Sequence, residues 1–404
     1  MPFVVEDLLA EAVEATGLQD FGPDGFRSGL AVYTAALDEE AGLSELGEVA
    51  VRSTVVGALA NRLRIMGWAR ERPEVADEVI EAPVVVIGMF RAGTTFLSNV
   101  LDRDPANRSL LRWESLDSVP PPTAATLRAG PRVDAARVAG EMLEALNPAM
   151  RSIHHEEADG PTECIAVMSQ DFKSLSWEAV ANVPAYGEWL RGVDQTSAYE
   201  YHRLVLQVLQ SGGARGRWTL KSPHHALALE ALTATYPDAR LVMLHRDPVT
   251  LVASVCSLIS TLSSTFTDAD HRTYIARHWT RMLEDCVERS EAFRRAHPEH
   301  PIIDVRYADL VGDPLGTVER LYGALDRELS ADARASIADL IARPAGPGRG
   351  HAYDLAAFGL DEAELAERFS AYVERHEIPT AAPPTAAPPT ELRSAPNPVM
   401  EGTP

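Results

Sequence analysis

The run Val84-Val85-Val86-Ile87-Gly88 and the seven residues after it, Met89 to Thr95, limit what this chain can fold into more than any other segment. A short, continuous apolar run rich in β-branched residues suits a strand buried on both faces, as in a parallel sheet covered by helices. Gly88, four intervening residues and Gly93 then give the spacing of a phosphate-binding loop. A strand that turns through glycines into a helix presents backbone N–H groups and a positive helix end to one anion. Arg91 adds charge to such a loop, and the hydroxyls of Thr94 and Thr95 add donors. The residue after Gly93 is Thr94, where a nucleotide triphosphatase carries the lysine that reaches the β- and γ-phosphates. Two glycines at a strand–helix joint also occur for structural reasons, so the loop alone leaves both readings open.

The rest of the chain extends the same pattern. Strands are expected at Arg217-Trp218-Thr219-Leu220-Lys221-Ser222, at 239–245 and at 301–307, each followed by a helical pattern. That alternation predicts an α/β fold, a parallel sheet flanked by helices. Residues 1–80 read as a helical N-terminal extension and 81–377 as the α/β domain. Residues 123–210 form a helical insertion on the acceptor side. The end, 378–404, repeats Ala-Ala-Pro-Pro-Thr and reads as a disordered tail. Met168, Phe172, Leu175 and Trp177 of the insertion suit either the wall of an apolar pocket or plain core.

Composition narrows the ligands. A net charge of −22 argues against nucleic acid and against stable docking to anionic membranes. An anionic ligand must therefore be held by a few local cations. Only Lys173 and Lys221 are lysines, whereas 35 residues are arginine, so a retained lysine hints at a need for a compact ammonium. Three scattered cysteines, no apolar run long enough to cross a bilayer and no basic-then-apolar start together suggest a soluble cytoplasmic protein. No metal is expected. His154, beside His155, Glu156 and Glu157, invites a metal reading, but four consecutive residues cannot all face one ion in regular structure.

A second anion anchor stands at 246–254. Arg246 lies just past the 239–245 strand, Asp247-Pro248 starts a helix, and Ser254 follows eight residues after Arg246. An arginine at a strand's carboxyl end and a serine in the next helix suit a further phosphate at the ligand-binding edge of the sheet.

Taken in order, the segments Gly88–Leu97, Thr219–His225, Tyr236–Val255 and Val305–Pro314 resemble the motif series of the sulfotransferases. The likeness is to a bacterial branch that also resembles tyrosylprotein sulfotransferases, and it extends over residues 8–377. The resemblance implies transfer of a sulfuryl group from 3′-phosphoadenosine 5′-phosphosulfate to a small-molecule or lipid-like hydroxyl acceptor, without a metal. Arg91, Ala92, Gly93, Thr94 and Thr95 would surround the 5′-phosphosulfate, and Arg246 with Ser254 would take the 3′-phosphate. Tyr307 would lie near the adenosine, and Arg349 with His351 would close over the cofactor. Lys221 would meet the charge on the leaving phosphate of adenosine 3′,5′-bisphosphate, while Lys173, with no family counterpart, reads as a surface residue. For the general base, Glu114 is the first choice and His154 the second. A nucleotide kinase, or a nucleotide-binding protein without catalysis, are the alternatives; the absent loop lysine opposes the kinase. Neither the acceptor nor the oligomeric state is legible.

Overall fold

The computed structural model describes residues 2–149, 156–342 and 354–380. Five strands, all parallel, form one sheet: β1 (Val84–Gly88), β2 (Asn107–Ser109), β3 (Arg217–Lys221), β4 (Arg240–His245) and β5 (Ile302–Arg306). Their order is β2-β3-β1-β4-β5, with β1 at the centre. All five residues of β1 are buried, as expected of a strand with helices on both faces. Four of the five strands lie where the sequence places them. The fifth, β2, is a three-residue edge strand, Asn-Arg-Ser, with no apolar run to announce it.

Register decides where function sits. Gly88 is level with Leu244, Val86 with Lys221, and His245 with Arg306. The carboxyl ends of β1, β3, β4 and β5 therefore share one edge, with Gly88, Lys221, Arg246 and Tyr307 following from them. Open parallel sheets bind ligands at this edge.

The N-terminal helices form as expected. Val5–Thr16 ends at Gly17, whose φ of 70° suits a glycine and whose N–H bonds the Val13 carbonyl at 2.7 Å. Glu45–Glu71 starts at Ser44, whose hydroxyl accepts from the Gly47 N–H at 3.0 Å. These helices do not stand apart from the sheet, because Leu8, Phe26 and Leu63 share one continuous core with Val85 and Val242. Arg62, 2 % exposed, joins them to the 123–210 insertion: it pairs with Asp171 at 3.1 Å and stacks on Phe26 and Tyr201.

The insertion is helical, with Pro131–Leu146, Pro184–Gly192 and Thr196–Ser211 its longer elements. Met168, Phe172, Leu175 and Trp177 are core residues rather than pocket walls: all are at most 1 % exposed, and Trp177 packs on Phe172 and Tyr33. Lys173 overturns its surface assignment. It is 6 % exposed, and its ammonium donates to the Asp194 carbonyl and the Ser197 hydroxyl, both at 2.8 Å. Those bonds make its burial tolerable.

Candidate active site

The loop after β1 is built for close approach. Gly93 has a φ of 100°, and a Cβ there would come within 2.6 Å of the Tyr307 ring. The glycine thus serves twice, allowing the turn and letting an aromatic from the end of β5 lie against the loop. Arg91 itself adopts a φ of 69°, a sparsely populated conformation for a side chain of this size. The helix Thr94–Leu101 opens at Gly93 without a side-chain cap, so its first N–H groups remain available at the loop.

Two predicted cofactor residues bond Arg91, and a third stacks on one of them. Arg91 Nε donates to the Ser254 hydroxyl at 3.1 Å, and Arg246 Nη1 donates to the Arg91 carbonyl at 3.0 Å. The Arg246 guanidinium stacks over the Tyr307 ring at 4.3 Å. Asp247 fixes the following helix, Pro248–Ser263, by accepting from the N–H groups of Val249 and Thr250. Residues 91, 93, 246, 254 and 307 come from three distant stretches and meet at one point.

Lys221 enters from β3. Its side chain is buried, and its Nζ lies 3.4 Å from the Thr95 hydroxyl and 3.1 Å from Glu163 Oε1. Glu163 was not among the sequence candidates. It stands at the start of the short helix Ile165–Met168, and the neighbouring Cys164 N–H bonds the Lys221 carbonyl at 2.9 Å. Burial pushes the Cys164 thiol up to about 12, which leaves it inert.

Glu114 occupies a different setting from the one expected. It is fully buried and paired with Arg108, which contacts both carboxylate oxygens. Its Oε2 also accepts from the Leu111 N–H at 3.0 Å, capping its own helix Arg112–Leu116. Arg108 in turn stacks on Trp218 of β3. The carboxylate ties β2 to that helix, and its lone pairs are already engaged. His154, Arg349 and His351 lie outside the described residues.

Beside the site, His245, Asp304 and His376 converge at the carboxyl end of β4 and on neighbouring β5, with the imidazoles of His245 and His376 stacked at 4.0 Å. His245 bonds Asp304 and the Tyr372 hydroxyl, each at 2.7 Å. Arg294 also holds Asp304, so the cluster is an ion-paired clasp that docks the helix Ser370–Arg375 onto the strand preceding Arg246.

A parallel sheet with a glycine loop, cations from neighbouring strand ends and no loop lysine defines a P-loop-type group transferase rather than a triphosphatase. Comparison with known proteins makes this specific. Residues 83–331 match the Sulfotransferase family model, and the chain belongs to that family. The sulfotransferase STF9 from Mycobacterium avium is 33% identical over 93% of this chain and 97% of its own, with a TM-score of 0.84. STF1 from Mycobacterium tuberculosis H37Rv is 34% identical over 91% of this chain and 98% of its own, with a TM-score of 0.81. Omega-hydroxy-beta-dihydromenaquinone-9 sulfotransferase Stf3 from Mycobacterium bovis and Mycobacterium tuberculosis is 27% identical over 61% of this chain. The match spans 64% of those curated relatives' length.

Proposed function

We infer that the chain transfers a sulfuryl group from 3′-phosphoadenosine 5′-phosphosulfate to the hydroxyl of a lipid-like acceptor. The observation that carries this reading is the meeting of Arg91, Gly93, Arg246, Ser254 and Tyr307 beside Lys221 at one sheet edge. The residues fit such a donor: an uncapped helix start and a glycine at positive φ suit a 5′-phosphate. A guanidinium and a serine one strand away suit a second phosphate. When bound, the donor supplies the sulfuryl group and a phosphate leaving group. Lys221, beside Thr95 of the loop, is placed to stabilise charge as the phosphate departs. Tyr307, flat under Arg246, offers an aromatic face where a base would stack.

The acceptor class rests on the insertion. Leu116, Val138, Met142 and Leu146 are large apolar side chains left exposed. Leu116 lines a cavity of about 150 Å³ together with Arg112, Ser115, Leu143, Thr162 and Ala166, and the other three lie on the helix Pro131–Leu146 that supplies Leu143. An apolar approach to a partly polar cavity suits a chain-bearing alcohol, and the name of the Stf3 relatives contains such a lipid. We further infer that the reaction needs no metal and that the protein works in the cytoplasm.

Calorimetry with adenosine 3′,5′-bisphosphate and adenosine 5′-monophosphate tests the donor. Charge-assisted contacts to the second phosphate contribute about 1.5–3 kcal/mol each, so the bisphosphate should bind at least about tenfold more tightly. Arg246→Ala should remove most of that preference. Equal affinities for both nucleotides would overturn the reading.

A further inference from the structure

We propose that a second cavity binds an uncharged apolar molecule that carries a hydroxyl. It lies between the link 193–195, the segment after β3 and the long helix Arg272–Ala296, and measures about 390 Å³. It shares no lining residue with the donor cluster or with the cavity beside Leu116, so it is a different site from the one assigned above. Its walls divide by chemistry. Leu190, Val193, Leu227, Ala228 and Ala231 supply an apolar side. His224 and Gln195 supply polar groups that have no partner among the described residues: both ring nitrogens of His224, and Oε1 of Gln195, are buried and unbonded. Folded proteins leave few buried polar atoms unpaired, so three on one cavity need an explanation. Water alone is a poor one, because it gains nothing against the apolar wall. A molecule with an apolar body and a polar end suits both walls.

Charge selects the polar end. Burial, with Arg289 close by, holds His224 down at about 4, so near neutral pH its ring is uncharged, one nitrogen donating and the other accepting. Gln195 Oε1 only accepts. A hydroxyl, which donates and accepts, complements both residues. An anion is disfavoured, because the lining sets the carboxylates of Asp194 and Glu230 against one guanidinium. That guanidinium is also engaged: Arg289 donates to the Leu227 carbonyl at 3.0 Å and to the Arg191 carbonyl.

The cavity is built before any ligand arrives. Lys173 donates to the Asp194 carbonyl at 2.8 Å, and the Asp194 carboxylate accepts from the N–H and hydroxyl of Thr196, so the link 193–195 is held on both sides. Across the cavity, the Ser222 hydroxyl accepts from the His224 N–H at 3.2 Å and sets the turn Pro223–Leu227, whose last carbonyl Arg289 holds. The buried Lys173 therefore braces one wall. Little ordering is left for a ligand to impose, which favours binding.

Calorimetry with 1-naphthol on the full chain tests this. Naphthol should bind at least about tenfold more tightly than naphthalene, which lacks the hydroxyl, and than 1-naphthoate, which is anionic. Ala231→Trp and Ala234→Trp fill the cavity from a half-buried and an exposed position, so the core is spared. Each should remove one bound naphthol per chain, with circular dichroism unchanged. His224→Phe should lower naphthol to about the affinity of naphthalene. If both tryptophan variants bind as many naphthol molecules as the unaltered chain, the cavity is not the site and the proposal is overturned. It is overturned equally if naphthoate binds most tightly, or if naphthalene matches naphthol, because the hydroxyl is then not what the polar wall reads. None of these outcomes depends on the sulfotransferase reading.

Discussion

The two sides of the site differ in how their residues are held. On the proposed donor side, Arg91, Gly93, Arg246 and Tyr307 sit at or just beyond strand ends, Ser254 sits in the helix after β4, and they contact one another. On the proposed acceptor side, the polar and aromatic candidates are engaged by the fold. Glu114 is locked to Arg108, and Trp177 and Phe172 fill the core. The lesson is that a polar residue at a strand's carboxyl end is positioned by the backbone, whereas one on a short connecting helix or in a helical insertion is positioned by whatever packs against it. The first can be anticipated from spacing. The second requires the tertiary structure.

The sharpest way to break this comparison is through Glu114. If it is structural, Glu114→Ala leaves the buried Arg108 guanidinium unpaired and should cost about 3–5 kcal/mol of stability, read by denaturant unfolding. Full stability with turnover lost a hundredfold would instead return Glu114 to the chemistry. Lys221 tests the donor side. Lys221→Ala should lower kcat roughly a hundredfold, about 2.7 kcal/mol, with a smaller change in bisphosphate affinity, because its effect is greatest in the transition state. Lys221→Arg should rescue poorly, since a planar guanidinium cannot take the place of a compact ammonium.

The buried His202, on helix Thr196–Ser211, and His224 and His225, just after β3, should make the fold respond to acid, with a smaller effect per group. Burial holds His202 down at about 3 and His224 at about 4, and burial with two neighbouring imidazoles holds His225 well below its ordinary value. The unfolded chain takes up these protons first, near pH 6.5, so stability is intact above that pH and declines as the pH falls toward the folded values. Each such histidine contributes a loss of about 1.4 kcal/mol per pH unit in that window. Thermal unfolding between pH 7 and pH 4.5 measures it, and His202→Gln should flatten the slope. An unchanged midpoint across that range would show that these imidazoles do not couple protonation to unfolding.

Much of the fold was legible because β1 and β4 carry apolar runs that a covered parallel sheet buries, while β3 and β5 each precede a helical pattern. β2 was not, because three polar residues held at an edge carry no such pattern. In the site, Arg246 and Ser254 could be paired from their spacing around a helix start. Glu163 could not, since nothing in Pro-Thr-Glu-Cys places position 163 against position 221. The one available signal was indirect: a buried lysine needs a partner. Lys173 shows the limit of that logic, because carbonyl and hydroxyl oxygens, not a carboxylate, satisfy it.

The burial of both lysines also shapes how the molecule meets reagents. The chain has two lysine side chains, and they are 6 % and 1 % exposed. Its outer cations are guanidinium groups, which do not acylate under the mild conditions that modify amines. Succinimidyl esters, amine cross-linkers and enzymes that acetylate or ubiquitinate lysine would therefore find almost no side-chain target on the folded surface. Uptake of an amine label at Lys221 would report opening of the site itself, and at Lys173 loosening of the insertion, against a background that the surface leaves nearly silent.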